Sequence, residues 1–248
     1  MLLTIDVGNS NTVFVVYDGE KEIFTTRMIT KKEDSVYYYE QALKALNYPI
    51  TDIVLSSVVP TITQEVEMAA QRSLKMVVKT LSGASIKDFK INLENPLEIG
   101  ADFIATSIGA SEKYQAPIII VDIGSATKLT LTSHPMVFEG GIILPGLGTS
   151  LKALTQFIPH LPDVPLHVPE KVVGHSTVSA IQSGAMYGLI AQVEGLTSRM
   201  EKELGQECVK IVTGGYARLV HSYLPDFKYE PSLLNEGLQI IHRKDLIK

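Results

Sequence analysis

One short pattern occurs twice. Leu3-Thr4-Ile5-Asp6-Val7-Gly8-Asn9-Ser10 and Ile120-Val121-Asp122-Ile123-Gly124-Ser125 both read as apolar strand, aspartate, apolar residue, glycine, small polar residue. The two aspartates lie 116 residues apart in a chain of 248. Each copy leads into a hairpin signal. Thr12 to Tyr17 is β-branched and aromatic and ends at the turn pair Asp18-Gly19; Leu129 to Thr132 ends at His134-Pro135. Two matches, each followed by the same kind of β-rich segment, predict a duplicated α/β architecture with halves at 1–115 and 116–248.

Periodicity fills in the remainder. Glu22 to Met28 reads as a third strand, Asp52 to Val59 as a buried strand stopped by Pro60, and Met76 to Leu81 as another strand. Helices are expected within Ser35 to Leu46, from Thr61 to Leu74, from Thr149 to about Phe157, and from Leu233 to Ile241. Ser176 and Thr177 offer an N-cap to a long helix. Ile181, Ala185, Leu189, Val193, Leu196, Met200 and Leu204 step along that helix by three or four on one apolar face. Ala217 to Ser222 is expected to open a further helix. Pro159, Pro162, Pro165 and Pro169 mark Ile158 to Glu170 as an irregular surface segment.

Charge and composition narrow the function. A net charge of −5 argues against nucleic acid or an anionic membrane as the main partner, since both need clustered positive charge. A lone cysteine, Cys208, forms no intrachain disulfide or cysteine zinc cluster and reads as a small buried residue. No apolar run reaches the ~18 residues of a membrane span. The apolar start lacks a basic region and is broken by Asp6 and Asn9, so no signal peptide is expected and the cytoplasm is the expected compartment.

Three strand ends carry the chemistry. In Asp6-Val7-Gly8-Asn9-Ser10-Asn11-Thr12, Gly8 permits a sharp turn and close approach to a ligand. Asn9, Ser10, Asn11 and Thr12 offer hydroxyl, amide and main-chain donors suited to phosphate oxygens. Asp6 could hold Mg²⁺ directly or through water. The competing reading is an Asx-rich turn between two strands. Asp122 supplies a second carboxylate able to bind a cation, with Ser125 and Thr127 as phosphate donors. Thr213-Gly214-Gly215 would let backbone approach a flat ring such as adenine. Asp102, in Gly100-Ala101-Asp102, is either a helix N-cap or a general base for an alcohol attacking a γ-phosphate. A P-loop and a dinucleotide fingerprint are both missing, the first for want of Gly-Lys-Ser/Thr, the second because Gly146-Leu147-Gly148 lacks its third glycine. The histidines do not cluster at ligand spacing; His160, His167 and His175 read as solvated.

These motifs together resemble type III pantothenate kinase, of the acetate and sugar kinase/Hsp70/actin superfamily, almost end to end. Further markers are Ser56-Ser57-Val58-Val59-Pro60, Asn95-Pro96, Gly140-Gly141 with Pro145-Gly146-Leu147, and Glu236-Gly237-Leu238. The resemblance implies two ribonuclease H-like (actin-like ATPase) halves, each with a mixed β-sheet, and a nucleotide cleft between them across which Asp6 and Asp122 face each other. It implies ATP-dependent phosphorylation of pantothenate, the first step of coenzyme A synthesis, with Mg²⁺ as the ATP partner. Asp6, Val7, Gly8, Asn9, Ser10, Asn11, Thr12 and Val13 would bind the ATP phosphates, and Ser125 would also contact ATP. Asp102 would accept the proton. Leu93, Gly100, Ala101, Asp102, Phe103 and Thr177 would line the pantothenate site. Asp122 would bind a monovalent cation, K⁺ or ammonium, and a homodimer is implied.

Several positions depart from the family pattern. Phe103 stands where the family usually has Arg, and Leu93 where it has an aromatic residue. Ser125 replaces a Thr, while Lys128 and Thr130 replace the usual Thr and Asp. Losing the Arg predicts weaker use of an anionic substrate, by about 10- to 150-fold, since a hydrogen bond to a charged group is worth about 1.5–3 kcal/mol. Two alternatives follow from these departures. One is a catalytically impaired or non-catalytic nucleotide-binding homologue; the other is a kinase for another small alcohol.

Overall fold

A computed structural model describes residues 1–158 and 160–248; Pro159, expected within the irregular surface segment, lies outside the described residues. The chain forms two compact units. The first comprises Met1–Lys113, Met136–Phe138 and Ser232–Lys248; the second comprises Tyr114–Pro135 and Glu139–Pro231.

In the first unit, β1 (Leu2–Val7) pairs antiparallel with β2 (Asn11–Asp18), which pairs antiparallel with β3 (Lys21–Ile29). Helix α1 (Ser35–Ala45) leads to β4 (Asp52–Ser57), which joins β1 in parallel. Then come α2 (Pro60–Leu74) and the short β5 (Lys79–Thr80), giving the order β3-β2-β1-β4-β5. The strand expected over Met76 to Leu81 is ladder-paired at Lys79 and Thr80 alone, against Val54 and Leu55. Val77 points into solvent, and among the described residues nothing pairs that end of the segment into the ladder. The unit continues through β6 (Lys90–Ile91) and α3 (Ala101–Lys113).

This sheet is apolar on both faces, which is why its strands read as nearly continuous hydrophobic runs. The two-residue period sorts the side chains. Leu3, Ile5, Val7, Phe14, Val16, Ile53 and Leu55 join a core with Tyr39 and Leu43 of α1 and Ile62 and Val66 of α2. Leu2, Val15, Tyr17 and Val54 point the other way, into a core with Ile104, Ala105 and Ile108 of α3.

The second unit repeats the plan. Its central strand β7 (Ile118–Ile123) pairs antiparallel with β8 (Ala126–His134), next to which lies β9 (Val137–Pro145). The first two residues of β9 belong to the first unit, where they pair with β6. Helices α4 (Leu147–Phe157) and α5 (Thr177–Leu204) follow, then β10 (Val209–Thr213), parallel to β7, and β11 (Lys228–Tyr229). The strand order β9-β8-β7-β10 thus matches β3-β2-β1-β4, with an aspartate-bearing strand at the same place in each. Ile119, Val121 and Ile123 pack against Met186, Leu189, Ile190 and Val193 of α5. Ser176 caps α5 by accepting from the Ser179 N–H, and the Ser179 hydroxyl accepts in turn from the Ser176 N–H. The helix expected over Ala217 to Ser222 is instead two 3₁₀ turns, Ala217–Leu219 and His221–Tyr223. Pro225 follows, and the residue before a proline disfavours the α conformation.

The closing helix α6 (Leu233–Arg243) lies in the first unit and packs along α3. Asn235 accepts a 2.9 Å hydrogen bond from Thr4 of β1, fixing the helix over the sheet face that carries Leu2 and Thr4.

Candidate active site

Asp6 is the penultimate residue of β1 in the first unit, half-buried, on the same sheet face as Leu2 and Thr4. That is the face covered by α3, the helix whose first turn contains Asp102, so alternation along one strand brings both carboxylates to one side of one sheet. Asp6 lies opposite Ser56 in the parallel ladder, and the buried Ser56 hydroxyl has no hydrogen-bond partner among the described residues. Ligands of open α/β sheets bind beyond the carboxyl ends of the strands, which is where Asp6 stands.

The loop after β1 turns through a 2.9 Å bond from the Gly8 N–H to the Asn11 carbonyl. Asn9 and Ser10 are exposed at its tip, where a ligand could take their main-chain and side-chain donors. Thr12 faces inward. Its hydroxyl is fully buried, 3.0 Å from the Thr30 hydroxyl and 3.1 Å from that of Tyr39. Thr30 donates in turn to the Gly8 carbonyl at 2.7 Å, and the Thr30 N–H reaches the Ser10 carbonyl. Burial pushes the Tyr39 hydroxyl above its ordinary pKa, while its hydrogen bond to Thr12 acts the other way. Thr12 therefore braces the loop from beneath. Val7 is buried in one core and Val13 packs on the other, so both can offer a ligand their main chain alone. Thr30 and Tyr39 escape a motif reading because they reach the loop from β3's end and from α1.

Asp102 is 8% exposed. Its carboxylate accepts a 2.9 Å bond from the Phe103 N–H, and Thr106 donates to its carbonyl at 2.8 Å. Gly100 makes room for this pose, since a side chain there would collide with the Asp102 carboxylate. The approach to α3 is stiff. Asn95 accepts from the Leu97 N–H and donates to Glu98 across a 3₁₀ turn, Pro96–Glu98, while Ile99 is anchored in the core. Beside Asp102, Phe103 meets Phe138 edge-on, ring centroids 5.7 Å apart, and both Phe103 and Leu93 pack on the same apolar core.

In the second unit, Asp122 occupies the place in β7 that Asp6 holds in β1. The turn beyond it is closed by a 3.0 Å bond from Gly124 N–H to the Ala126 carbonyl. Ser125 is exposed, and its carbonyl accepts from Thr149 at 2.7 Å and from the Gly146 N–H at 3.2 Å. Thr213 lies opposite Asp122 on the parallel neighbour β10. Gly214 follows with φ +95°, and any side chain there would strike the Asp122 carboxylate and lie 2.6 Å from the Ile123 nitrogen. Gly214 thus lets its own backbone close on Asp122 and Ile123. On the other neighbour, Lys128 stands directly across from Asp122 with its ammonium 2.8 Å from the carboxylate. Thr127 is buried, its hydroxyl unpartnered among the described residues, and Thr177 is exposed at the first turn of α5. Among the described residues no group of three or more His, Cys, Asp or Glu forms a metal cluster, and no helix is long and apolar enough to cross a membrane.

Two mixed sheets of matching order, each with an aspartate–glycine turn after its central strand, define the actin-like ATPase and sugar kinase fold class. Solved structures agree on the fold. A Campylobacter jejuni protein provisionally described as a Baf family transcriptional activator is similar with TM-score 0.65 at 19% identity, covering 98% of each chain. A Sinorhizobium meliloti protein provisionally described as a 2-dehydro-3-deoxygalactonokinase is similar with TM-score 0.62 at 10% identity, covering 98% of this chain and 96% of that one. Within the class the chain belongs to the type III pantothenate kinase family, which matches residues 2–199. A type III pantothenate kinase of Exiguobacterium sp. is 37% identical over 99% of both chains.

Proposed function

We propose that this protein transfers the γ-phosphoryl group of ATP to the hydroxyl of pantothenate, the first step of coenzyme A synthesis. The observation that carries this reading is membership of the type III pantothenate kinase family along nearly the whole chain. A buried carboxylate at the start of α3 supports it.

The roles follow from chemistry. The alcohol oxygen attacks the γ-phosphorus, the bond from that phosphorus to the ADP oxygen breaks, and the alcohol proton passes to Asp102 and then to solvent. Asp102 is pre-oriented for this by the Phe103 N–H, and positioned proton transfer contributes about 10²–10⁴-fold. The segment Asp6 to Val13 supplies donors to the phosphates, with Asn9 and Ser10 at the tip and Thr12 holding the turn. Ser125 offers its hydroxyl as a further ATP contact. Asp6, a half-buried oxygen donor at a strand end, fits Mg²⁺ held through water, because Mg²⁺ takes one or two carboxylates plus substrate phosphates. When bound, Mg²⁺ neutralises charge on the transferring phosphoryl group. Leu93, Gly100, Ala101, Phe103 and Thr177 line the acceptor site. The active species is a homodimer in the cytoplasm, with no nucleic-acid or membrane partner. A steady-state assay with pantothenate, ATP and Mg²⁺ tests the reading; turnover no higher than that of Asp102→Asn would overturn it.

A second reading rests on the Phe103–Phe138 contact beside Asp102. An apolar ring at that position favours an acceptor alcohol less anionic than pantothenate. Faster turnover of neutral amide analogues than of pantothenate would select this second reading.

The monovalent cation expected at Asp122 does not fit the residues present, because the carboxylate already faces the ammonium of Lys128.

A further inference from the structure

We infer that Lys128 supplies, as part of the chain, the single positive charge that a bound K⁺ or ammonium ion would otherwise bring to Asp122. The inference rests on the kinase reading only for its activity measurement.

The pair is fixed by the fold. Asp122 and Lys128 are directly opposed residues on antiparallel β7 and β8, so no loop has to move to bring them together. One carboxylate oxygen lies 2.8 Å from the ammonium nitrogen, and the other lies against Gly214. Backbone therefore closes the carboxylate on one side and the ammonium on the other. The side chains are 16% and 19% exposed, so water and salt screen the pair less than a surface ion pair.

The substitution is also chemically apt. A lysine ammonium is a tethered alkylammonium, with the charge and hydrogen-bonding character of NH₄⁺. A second monovalent ion at this carboxylate would sit beside a like charge. Thr130, two residues along the same strand face, is neutral and buried.

The test compares wild type and Lys128→Thr in sodium buffer, with and without K⁺ or ammonium at about 100 mM and constant ionic strength. Two readouts are taken, turnover and thermal unfolding, since an ion that binds the folded state alone raises the midpoint with its concentration. Wild-type turnover is expected to change by less than about two-fold and its midpoint not to respond beyond the sodium control. Lys128→Thr is expected to lose about ten-fold or more in sodium, because it leaves the Asp122 carboxylate without its cation, and to recover with K⁺ or ammonium as its midpoint rises. Stimulation of the wild type above two-fold, or a wild-type midpoint that climbs with K⁺, overturns the inference. If pantothenate is not turned over under any condition, the kinase reading fails and the unfolding measurements still decide this one. If Lys128→Thr does not fold, the two wild-type responses decide it.

Discussion

Gly237 of α6 rests on the carbonyl of Ala105 in α3, where a methyl carbon would lie 2.6 Å from the Ala105 carbonyl carbon and closer still to its oxygen. Gly109 makes the reciprocal approach, its absent methyl 2.7 Å from the Leu233 carbonyl. The two glycines let the helices meet backbone to backbone, and α3 carries Asp102. Gly237→Ala gains up to about 1 kcal/mol of helix propensity. Forcing backbone apart costs about 1–3 kcal/mol, and a carbonyl cannot swing aside as a side-chain end can, so net destabilisation is expected. Denaturant unfolding reads this directly, and turnover should fall with it as α3 shifts.

Thr30→Val removes a buried hydroxyl that joins Thr12 to the Gly8 carbonyl. The shape is kept and the hydrogen bonds are lost. Each is worth about 0.5–1.5 kcal/mol, so ATP affinity should weaken by roughly two- to ten-fold as the turn loosens. Calorimetric titration with ATP checks this. Unchanged affinity would show that the brace serves stability alone.

Phe103→Arg restores a cation beside Asp102. The KM for pantothenate should fall by about ten-fold or more if the anionic acceptor binds there. Stability should fall by about 0.5–1.5 kcal/mol with loss of the Phe138 contact. A lower midpoint with an unaltered KM would make Phe103 purely a packing residue.

Glu112 hydrogen-bonds Lys244 and Arg243 at the end of α6, and the Lys244 bond leads in holding its carboxyl below the ordinary value of 4.5. A depressed folded-state pKa gives stability that is present above the unfolded pKa and lost as pH falls through the folded one. Glu112→Gln should therefore cost stability near neutrality, with the difference from wild type closing only as pH falls below 4.5 and through the lowered folded-state pKa. All three side chains are a third exposed or more, so the cost is about 0.2–1 kcal/mol. Unfolding free energies at the two pH values measure it.

Local pattern was enough for the duplicated strand–aspartate–glycine turns, since Asp6, Gly8, Asp122 and Gly124 are neighbours along the chain and their chemistry depends on that adjacency. Period-two alternation likewise places Asp6 on the face of Leu2 and Thr4 without reference to anything distant. The helix expected around Ala217 gives way to 3₁₀ turns, because capping and periodicity do not weigh the effect of Pro225 against tertiary anchoring. Lys128 was visible as a departure from the family pattern, yet its meaning depended on register: antiparallel pairing sets it opposite Asp122, six residues back.

The sequence by itself determined most of the long elements, the two aspartate-bearing strand ends and the family. It did so because short-range sterics, burial period and turn chemistry are written in contiguous residues. Tertiary structure decided that α6 closes over α3, that Thr12 turns inward to Thr30 and Tyr39, and that Asp122 already has a cation from within the chain. Those outcomes depend on which distant surfaces can approach without a side chain between them, and that is settled only when the chain packs.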